Sequence, residues 1–427
     1  MTTTWTFEPS YYEASVTRPP LTDALAGDVD ADICVIGGGF TGVSGALTLA
    51  QRGRKVVLLE SRAIGWGASG RNGGQMIHDF ATDDLTAVAR SGGVSEKQLF
   101  DLSLEALELV EQNITEHNIA CDFQRGYAEA AVKPAHLRDL QEWAEIVERD
   151  YNYSGNTVLD AVGFREVVAS RAYCGGLLND RSGHLHPLKY VLGLAAAAKA
   201  AGVAVYENTS ALRIDEGKDG ITVHTANGRV RCRRLLVAGN AYLEGLQLPV
   251  AGHIMPVGTY IGATHPLGDE ADSLIRDNRG VCNTNFVLDY FRLSADQRLL
   301  FGGRVSYSGR TPANLNASLR ARMLSVFPQL EHAQFEYLWG GYVAITINRF
   351  PDVGRIGDSI YYAQGFSGHG VALSGYCGKL IAEAICGEEE KFAIFDRVKH
   401  HSFPGGKLLR TPLLVLAMLY YRLRDLI

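Results

Sequence analysis

The sequence predicts an α/β (α+β) fold, a parallel-sheet domain interleaved with an antiparallel-sheet one, on three observations. Residues 31–59 read as strand, glycine turn, helix, strand. Residues 360–385 repeat the strand, glycine turn, helix order near the other end of the chain. Between 256 and 341, short strand-like runs alternate with turn residues, as in an antiparallel sheet.

Ala31 to Ile36 is β-branched and ends in glycines, Gly42 to Gly53 reads as a helix, and Lys55 to Leu59 as a second strand. From Val94 to Asp150 the pattern turns helical, with Leu102, Leu107, Leu109 and Val110 among many charges and Pro134 opening a further helix. Pro187 to Ala201 is an alanine-rich helix, followed by a strand at Val203 to Tyr206, so the chain returns there to the first domain. Ile221 to Val237 alternates like a small meander around Asn227-Gly228. The runs Val257 to Ala263, Phe286 to Leu293 and Leu299 to Val305 suggest the sheet that floors a substrate pocket. Ile360 to Ala363 is a strand and Val371 to Ile385 a helix. These boundaries assign 28–90, 160–250 and 340–400 to a nucleotide domain, 91–159 and 251–339 to a substrate domain, and 401–427 to an amphipathic tail.

At 427 residues the chain exceeds one ordinary core, which agrees with two domains. Its net charge of -6 comes from interspersed residues, so no nucleic-acid surface is implied. Seven cysteines lie scattered without metal-ligand spacing and read as reduced thiols. The first ten residues lack the basic start and apolar core of a signal peptide, and the apolar run Pro412 to Tyr421 is too short to span a bilayer, which takes roughly 20 residues. A cytoplasmic enzyme acting on a small molecule is expected.

Gly37, Gly39 and Gly42, with Phe40 and Thr41 between the last two, fit Gly-x-Gly-x-x-Gly between a strand and a helix. Glu60 ends the second strand and is followed by Ser61 and Arg62. In such a Rossmann-type unit Gly37 permits the tight turn and Gly39 lets a pyrophosphate approach the helix N-terminus. Gly42 packs helix on strand, and Glu60 accepts from ribose hydroxyls. This motif does not separate FAD from NAD. The separation comes from Gly65-Trp66-Gly67-Ala68-Ser69-Gly70-Arg71-Asn72-Gly73-Gly74, followed by Gln75: a second loop almost free of side chains suits a ribityl chain and a flat isoalloxazine, which a nicotinamide does not require. The third element, Gly365-Phe366-Ser367-Gly368-His369-Gly370-Val371, aims a helix start at the flavin. A helix N-terminus there stabilises negative charge by about 0.3–1 kcal/mol, or about 2 when buried.

On these motifs, together with Gly183-His184-Leu185-His186-Pro187, the chain resembles the D-amino-acid oxidase and sarcosine oxidase superfamily of FAD-dependent oxidoreductases. Within it the chain is most similar to the gamma-glutamylputrescine oxidase group. The resemblance implies hydride transfer from the carbon beside an amine nitrogen to flavin N5, giving an imine that hydrolyses to an aldehyde and ammonia, with hydrogen peroxide formed if oxygen is the acceptor. The expected substrate is gamma-glutamylputrescine or a related gamma-glutamyl polyamine. The alternative is a dehydrogenase of an N-substituted amino acid, sarcosine- or iminodiacetate-like, using another acceptor. Sarcosine oxidases attach FAD through a cysteine that the stretch Val343 to Ile347 lacks, so noncovalent FAD is expected. Their oxygen-activating lysine has only Arg304 as a counterpart on the strand from Leu299, which leaves the acceptor open.

Among single residues, His369 either polarises the flavin edge or meets substrate, or it only closes the helix start. Tyr290 and Arg292 alternate on one strand face, where the arginine would welcome an anionic or amide-bearing substrate; the other reading is a solvated sheet face. Trp339 and Tyr260 are weaker pocket candidates. Ala238, Gly239 and Asn240 follow a strand where superfamily members contact the cofactor, and Ser210 follows another at the adenine end. His184 and His186 share a strand face, but no third ligand is near in sequence, so a structural role is favoured over a metal. The tail sets leucines against Lys407, Arg410, Arg422 and Arg424; docking on its own protein is favoured over pairing subunits or lying on a membrane surface.

Overall fold

The computed structural model describes residues 9–404 apart from 244, 245, 247, 286 and 307–310, and of 304 and 305 the backbone alone. At its centre is a six-stranded sheet in the order Asp352–Ile356, Ile360–Gln364, Arg234–Val237, Ile33–Ile36, Val56–Leu59, Ala204–Tyr206. All neighbours are parallel except the hairpin of the first two. The β-branched strands explain the layering. Ile33, Val35, Val56 and Leu58 project to one face, under helices Phe40–Gln51, Pro187–Ala200 and Gly370–Ile385. Cys34, Ile36, Val57 and Leu59 project to the other, against Ile221, Val223, Val230 and Cys232 of a four-stranded sheet. That sheet pairs Val29–Asp30 with Arg229–Cys232, Gly220–His224 and Arg213–Gly217. A parallel sheet covered on both faces must carry apolar residues at every position, and these short strands do.

The helices at 40–51 and 370–385 cross where both are bare. A Cβ on Gly378 would lie 2.1 Å from the Thr41 carbonyl oxygen, and one on Gly45 2.7 Å from Leu236. Their close approach brings both helix N-termini to the C-terminal ends of the parallel strands, where ligands of such sheets bind.

The second large sheet has nine strands: Phe335–Ile345, Met255–Thr264, Leu299–Ser306, Tyr290–Leu293, Gly280–Asn283, Gln124–Ala131, Gly175–His184 and Gln75–Met76 in order, with Asn156–Asp160 also on Gly175–His184. It is antiparallel apart from one parallel pair, Gly280–Asn283 with Gln124–Ala131. One face buries Ala128, Ala130, Val281, Phe291 and Phe301 against Leu319 and Met323 of the helix Leu315–Val326. The alternating residues Tyr127, Glu129, Cys282 and Tyr290 take the opposite face.

The helix after the first glycine turn starts at Phe40 rather than Gly42, and of the strand placed at Phe286 to Leu293 the structure has Tyr290 to Leu293. Within the stretch read as helical, 94–150, two helices, Glu96–Glu116 and Pro134–Tyr151, flank the strand Gln124–Ala131, whose alanines and glycine carry little strand signal. Gln75–Met76 and Gly175–His184, which fall in segments assigned by sequence to the nucleotide domain, hydrogen-bond into the large sheet. Of the tail, residues 405–427 lie outside the described residues; just before them Phe403 donates its N–H to Gly252 O at 2.9 Å. Among the described residues no helix is long and apolar enough to cross a membrane.

Candidate active site

A cavity of about 440 Å³ runs between the C-terminal ends of the central strands and the strand Phe335–Ile345. Of the residues expected from sequence, it is lined by Gly37, Gly39, Phe40, Thr41, Glu60, Ser61, Arg62, Ala68, Ser69, Asn72, Ser210, Ala238, Gly239, Asn240, Phe366, Gly368, Gly370 and Val371. Five segments distant in sequence thus meet on one space.

The first turn is built for close approach. Gly37 has φ +111°, and a Cβ on Gly42 would sit 1.9 Å from its carbonyl oxygen. Gly39, at the N-cap of helix Phe40–Gln51, gives the helix no side-chain cap of its own, so the amides that follow Phe40 are left for a ligand. Ser69 Oγ accepts from Phe40 N at 2.9 Å and ties the second loop onto this helix start. The Glu60 carboxylate accepts from Gly38 N at 2.7 Å and from Arg62 N at 2.9 Å. Burial raises its pKa, with these two amides pulling the other way. A bare helix start beside an oriented carboxylate fits the pyrophosphate and ribose of a dinucleotide.

The second loop is folded by its own side chains. Asn72 Nδ2 donates to Ala68 O and Ser69 O at 2.9 and 3.1 Å, while Asn72 Oδ1 accepts from Gly74 N at 2.7 Å. Several expected contact residues sit behind the cavity wall as its support. Gly70 and Gly74 leave no room for a Cβ, which would lie 2.1 Å from Gly65 O and 2.2 Å from Leu185 O. Arg71 Nε donates to Trp66 O at 3.0 Å, and Arg71 O accepts from Trp339 Nε1 at 3.0 Å. Gln75 Nε2 donates to Val281 O and Phe291 O in the large sheet. Gly365, at φ +75°, donates its N–H to Asn240 Oδ1 at 3.0 Å.

Arg292 requires a correction. Only 3% exposed, it spends its donors on Gly73 O, Leu185 O, Leu293 O and the Tyr12 hydroxyl, so it braces the loop rather than facing an open pocket. Tyr290 lies against Gly73 and Gly302, where Cβ atoms would fall 2.8 and 2.2 Å from its ring carbons. His369 is the N-cap of helix Gly370–Ile385 without a side-chain cap bond. Burial, and then Arg349, pull its pKa down to about 4. Trp339 and Tyr260 are buried, and the Arg304 side chain lies outside the described residues. His184 and His186 part company: His184 Nε2 donates to Asn278 O at 2.6 Å, whereas His186 caps helix Pro187–Ala200, its Nδ1 accepting from Lys189 N at 3.2 Å.

Lining residues that sequence reasoning passed over include Tyr242, Tyr342, Asn208 and Thr209, and Val343 and Ala344, named there only as the counterpart of a flavin-attachment stretch, line it too. Tyr242 OH accepts from Tyr342 N at 2.8 Å, joining the two walls. One signal was available: Asn208 and Asn240 each follow a strand and adopt φ +49° and +47°, a conformation asparagine tolerates where the chain must turn beside a ligand.

Residues 32–384 match the FAD dependent oxidoreductase (DAO) family. The chain belongs to that family. It is 40% identical over 419 residues, 97% of this chain and 98% of the relative, to gamma-glutamylputrescine oxidoreductase of Escherichia coli K12. It is 39% identical over 414 residues, 95% and 94% of the two chains, to a probable oxidoreductase OrdL of Haemophilus influenzae. Among solved structures, glycine oxidase from Geobacillus kaustophilus superposes with TM-score 0.72 at 22% identity, covering 87% of this chain and all of the other. L-proline dehydrogenase from P. horikoshii gives 0.73 at 22%, covering 88% and 98%. The protein is an FAD-dependent oxidoreductase, and the cavity's bare helix start, Glu60 and second glycine loop fit that cofactor.

Proposed function

We propose that this enzyme oxidises a C–N bond of gamma-glutamylputrescine or a related gamma-glutamyl polyamine, giving an imine that hydrolyses to an aldehyde and ammonia, with oxygen reduced to hydrogen peroxide. The observation that carries the reading is the 40% identity to gamma-glutamylputrescine oxidoreductase along nearly the full length of both chains. FAD, when bound, supplies the acceptor for the hydride on the carbon beside nitrogen. On this reading the first turn and helix Phe40–Gln51 hold the pyrophosphate, Glu60 the ribose, and the loop 65–75 with the start of helix Gly370–Ile385 the flavin end. Tyr290 and His369 stand on the substrate side. Noncovalent binding belongs to this reading, and it is supported by the lining of the cavity, which includes none of the seven cysteines.

Anaerobic stopped-flow absorbance with gamma-glutamylputrescine, free diamines, sarcosine and iminodiacetate, followed by air, tests this. Rapid bleaching of the flavin band by the acylated diamine, with fast recovery and peroxide in air, is expected. Bleaching by an N-substituted amino acid with slow recovery in air would replace the reading with a dehydrogenase.

A further inference from the structure

Residues 16–26 form neither helix nor strand and run as a strap from the helix Tyr11–Ala14 to the strand Val29–Asp30. Such a stretch keeps a fixed course only where its polar groups find partners. One end is held at the helix, where the Tyr11 hydroxyl donates to Asp296 Oδ1 at 2.5 Å and the Tyr12 hydroxyl accepts from Arg292. The other end meets Glu207, which follows the strand Ala204–Tyr206 and is 3% exposed. Glu207 Oε2 accepts from Thr22 N at 2.7 Å and from Thr22 Oγ1 at 3.1 Å, and Thr22 Oγ1 accepts in turn from Glu207 N at 3.2 Å. Three residues on, Leu25 N donates to Thr209 Oγ1 at 3.0 Å, and that hydroxyl donates to Glu207 O at 2.9 Å. Close packing does little to hold this end. A second cavity, of about 270 Å³, opens between Arg18, Pro19 and Leu21 of the strap and Leu192, Ala195 and Lys199 of helix Pro187–Ala200.

The second carboxylate oxygen of Glu207 holds the wall of the cofactor cavity. Glu207 Oε1 accepts from Ile64 N at 2.8 Å, and Arg18 Nη1 of the strap donates to Ile64 O at 2.8 Å, so both backbone polar groups of Ile64 are fixed. Ile64 underlies the first glycine turn. A Cβ on Gly38 would lie 2.5 Å from Ile64 Cδ1, and the next residue, Gly65, donates its N–H to Gly38 O at 2.9 Å. On the strand side, Asn208 N donates to Arg62 O and Thr209 N to Glu60 O, each at 2.8 Å. Gly38, Glu60, Arg62, Gly65, Asn208 and Thr209 all line the cavity, whereas Glu207 and Thr22 do not. One buried carboxylate outside the cavity therefore joins the strap to both of the loops that meet at this part of its wall.

We propose that Glu207 is a positioning residue for FAD, through which the strap 16–26 fixes the spacing of the loops 60–65 and 208–211 that line the cofactor's cavity. The physical basis is the number of acceptors. A carboxylate gives one oxygen to Thr22 N and the other to Ile64 N, whereas a carboxamide of the same shape has one oxygen and sets its own N–H against the remaining amide. Losing either bond lets the loops part while every residue that lines the cavity stays in place. Cofactor retention, whichever amine is oxidised, is what Glu207 governs.

Release of FAD from the diluted holoenzyme, followed by the rise of its fluorescence well below the melting temperature of every variant, tests this. Glu207→Gln should release FAD at least about tenfold faster than the wild type, the effect of losing one hydrogen bond to a charged group. Thr22→Val removes the hydroxyl but keeps the Thr22 N–H, so its rate should fall between the two. Tyr11→Phe loosens the far end of the strap, and it should lower the melting temperature without hastening release. An unchanged rate in Glu207→Gln, or a rate raised as much by Tyr11→Phe as by Glu207→Gln, would overturn the assignment, because the strap would then serve general stability alone. If Glu207→Gln does not fold, Thr22→Val decides: faster release than the wild type supports the proposal and the wild-type rate overturns it.

Discussion

Arg292 Nε donates a 2.7 Å hydrogen bond to the carbonyl oxygen of Gly73. The pair joins a strand of the large sheet to the second glycine loop, which lines the cavity through Ala68, Ser69 and Asn72. The same guanidinium reaches Leu185 O, Leu293 O and the Tyr12 hydroxyl, so one side chain fixes four chain segments. Only a planar fork with five donors can do this from one position.

Arg292→Met should therefore strip donors from three carbonyls in the interior and cost about 3–5 kcal/mol. The expected outcome is a lower melting temperature together with loss of FAD on gel filtration. Arg292→Lys keeps the charge but not the fork and should fall between the two. If Arg292→Met kept full flavin content and raised KM alone, the arginine would be a substrate anchor after all.

The parts of the site that were legible in the sequence are those where backbone, not side chain, does the binding. Gly37, Gly39 and Gly42 announce a turn because nothing else fits there, and Ser69 and Asn72 lie inside a loop whose glycines mark it. The misreading of Arg292 has a physical cause. Strand alternation gives the face a residue occupies, but not whether that face meets a pocket or another segment, and here Gly73 and Leu185 from remote parts of the chain cover it. Tyr342 and Tyr242 were missed because their wall forms only where the strand Phe335–Ile345 meets the turn Asn240–Tyr242, about a hundred residues away in sequence. The alanine-rich strand Gln124–Ala131 carries no β-branched signal and depends on its neighbours for its conformation.

Gly378 offers a second check, because it lies far in sequence from the first glycine turn yet sets its position. A Cβ there would come within 2.1 Å of Thr41 O, so Gly378→Ala should push helix Gly370–Ile385 away from helix Phe40–Gln51. Overpacking of this kind costs about 1–3 kcal/mol. Because both helix starts line the cavity, the FAD dissociation constant should rise along with the loss of thermal stability. Gly387→Ala, at a site with no atom within 4 Å of an added Cβ but with φ +101°, is a control in which stability should fall without a change in FAD affinity.

His186 makes the acid stability of the fold depend on a neutral imidazole. It is 2% exposed, and burial, followed by the charges of Arg292 and Lys189, pulls its pKa down to about 3. Its Nδ1 accepts the Lys189 N–H at the start of helix Pro187–Ala200, and Nε2 lies 3.0 Å from Ser15 Oγ. A proton on Nδ1 would remove that acceptor and place a second positive charge near Arg292. The folded pKa is below the unfolded value of about 6.5, so the unfolded chain binds the extra proton first as pH falls. The contribution to stability is complete above about 6.5 and is lost as pH drops toward the folded pKa, at about 1.4 kcal/mol per pH unit. Between pH 7 and pH 5 this one group should therefore remove about 2 kcal/mol. His186→Asn keeps a helix-capping acceptor that does not titrate, so its melting temperature should fall less steeply over that interval. Its stability at pH 7 is expected to be lower, because the ring contact with Tyr12, at 4.8 Å between centroids, is lost. The slope and not the starting value is the readout, and parallel slopes for the two proteins would show that His186 carries no part of the acid sensitivity.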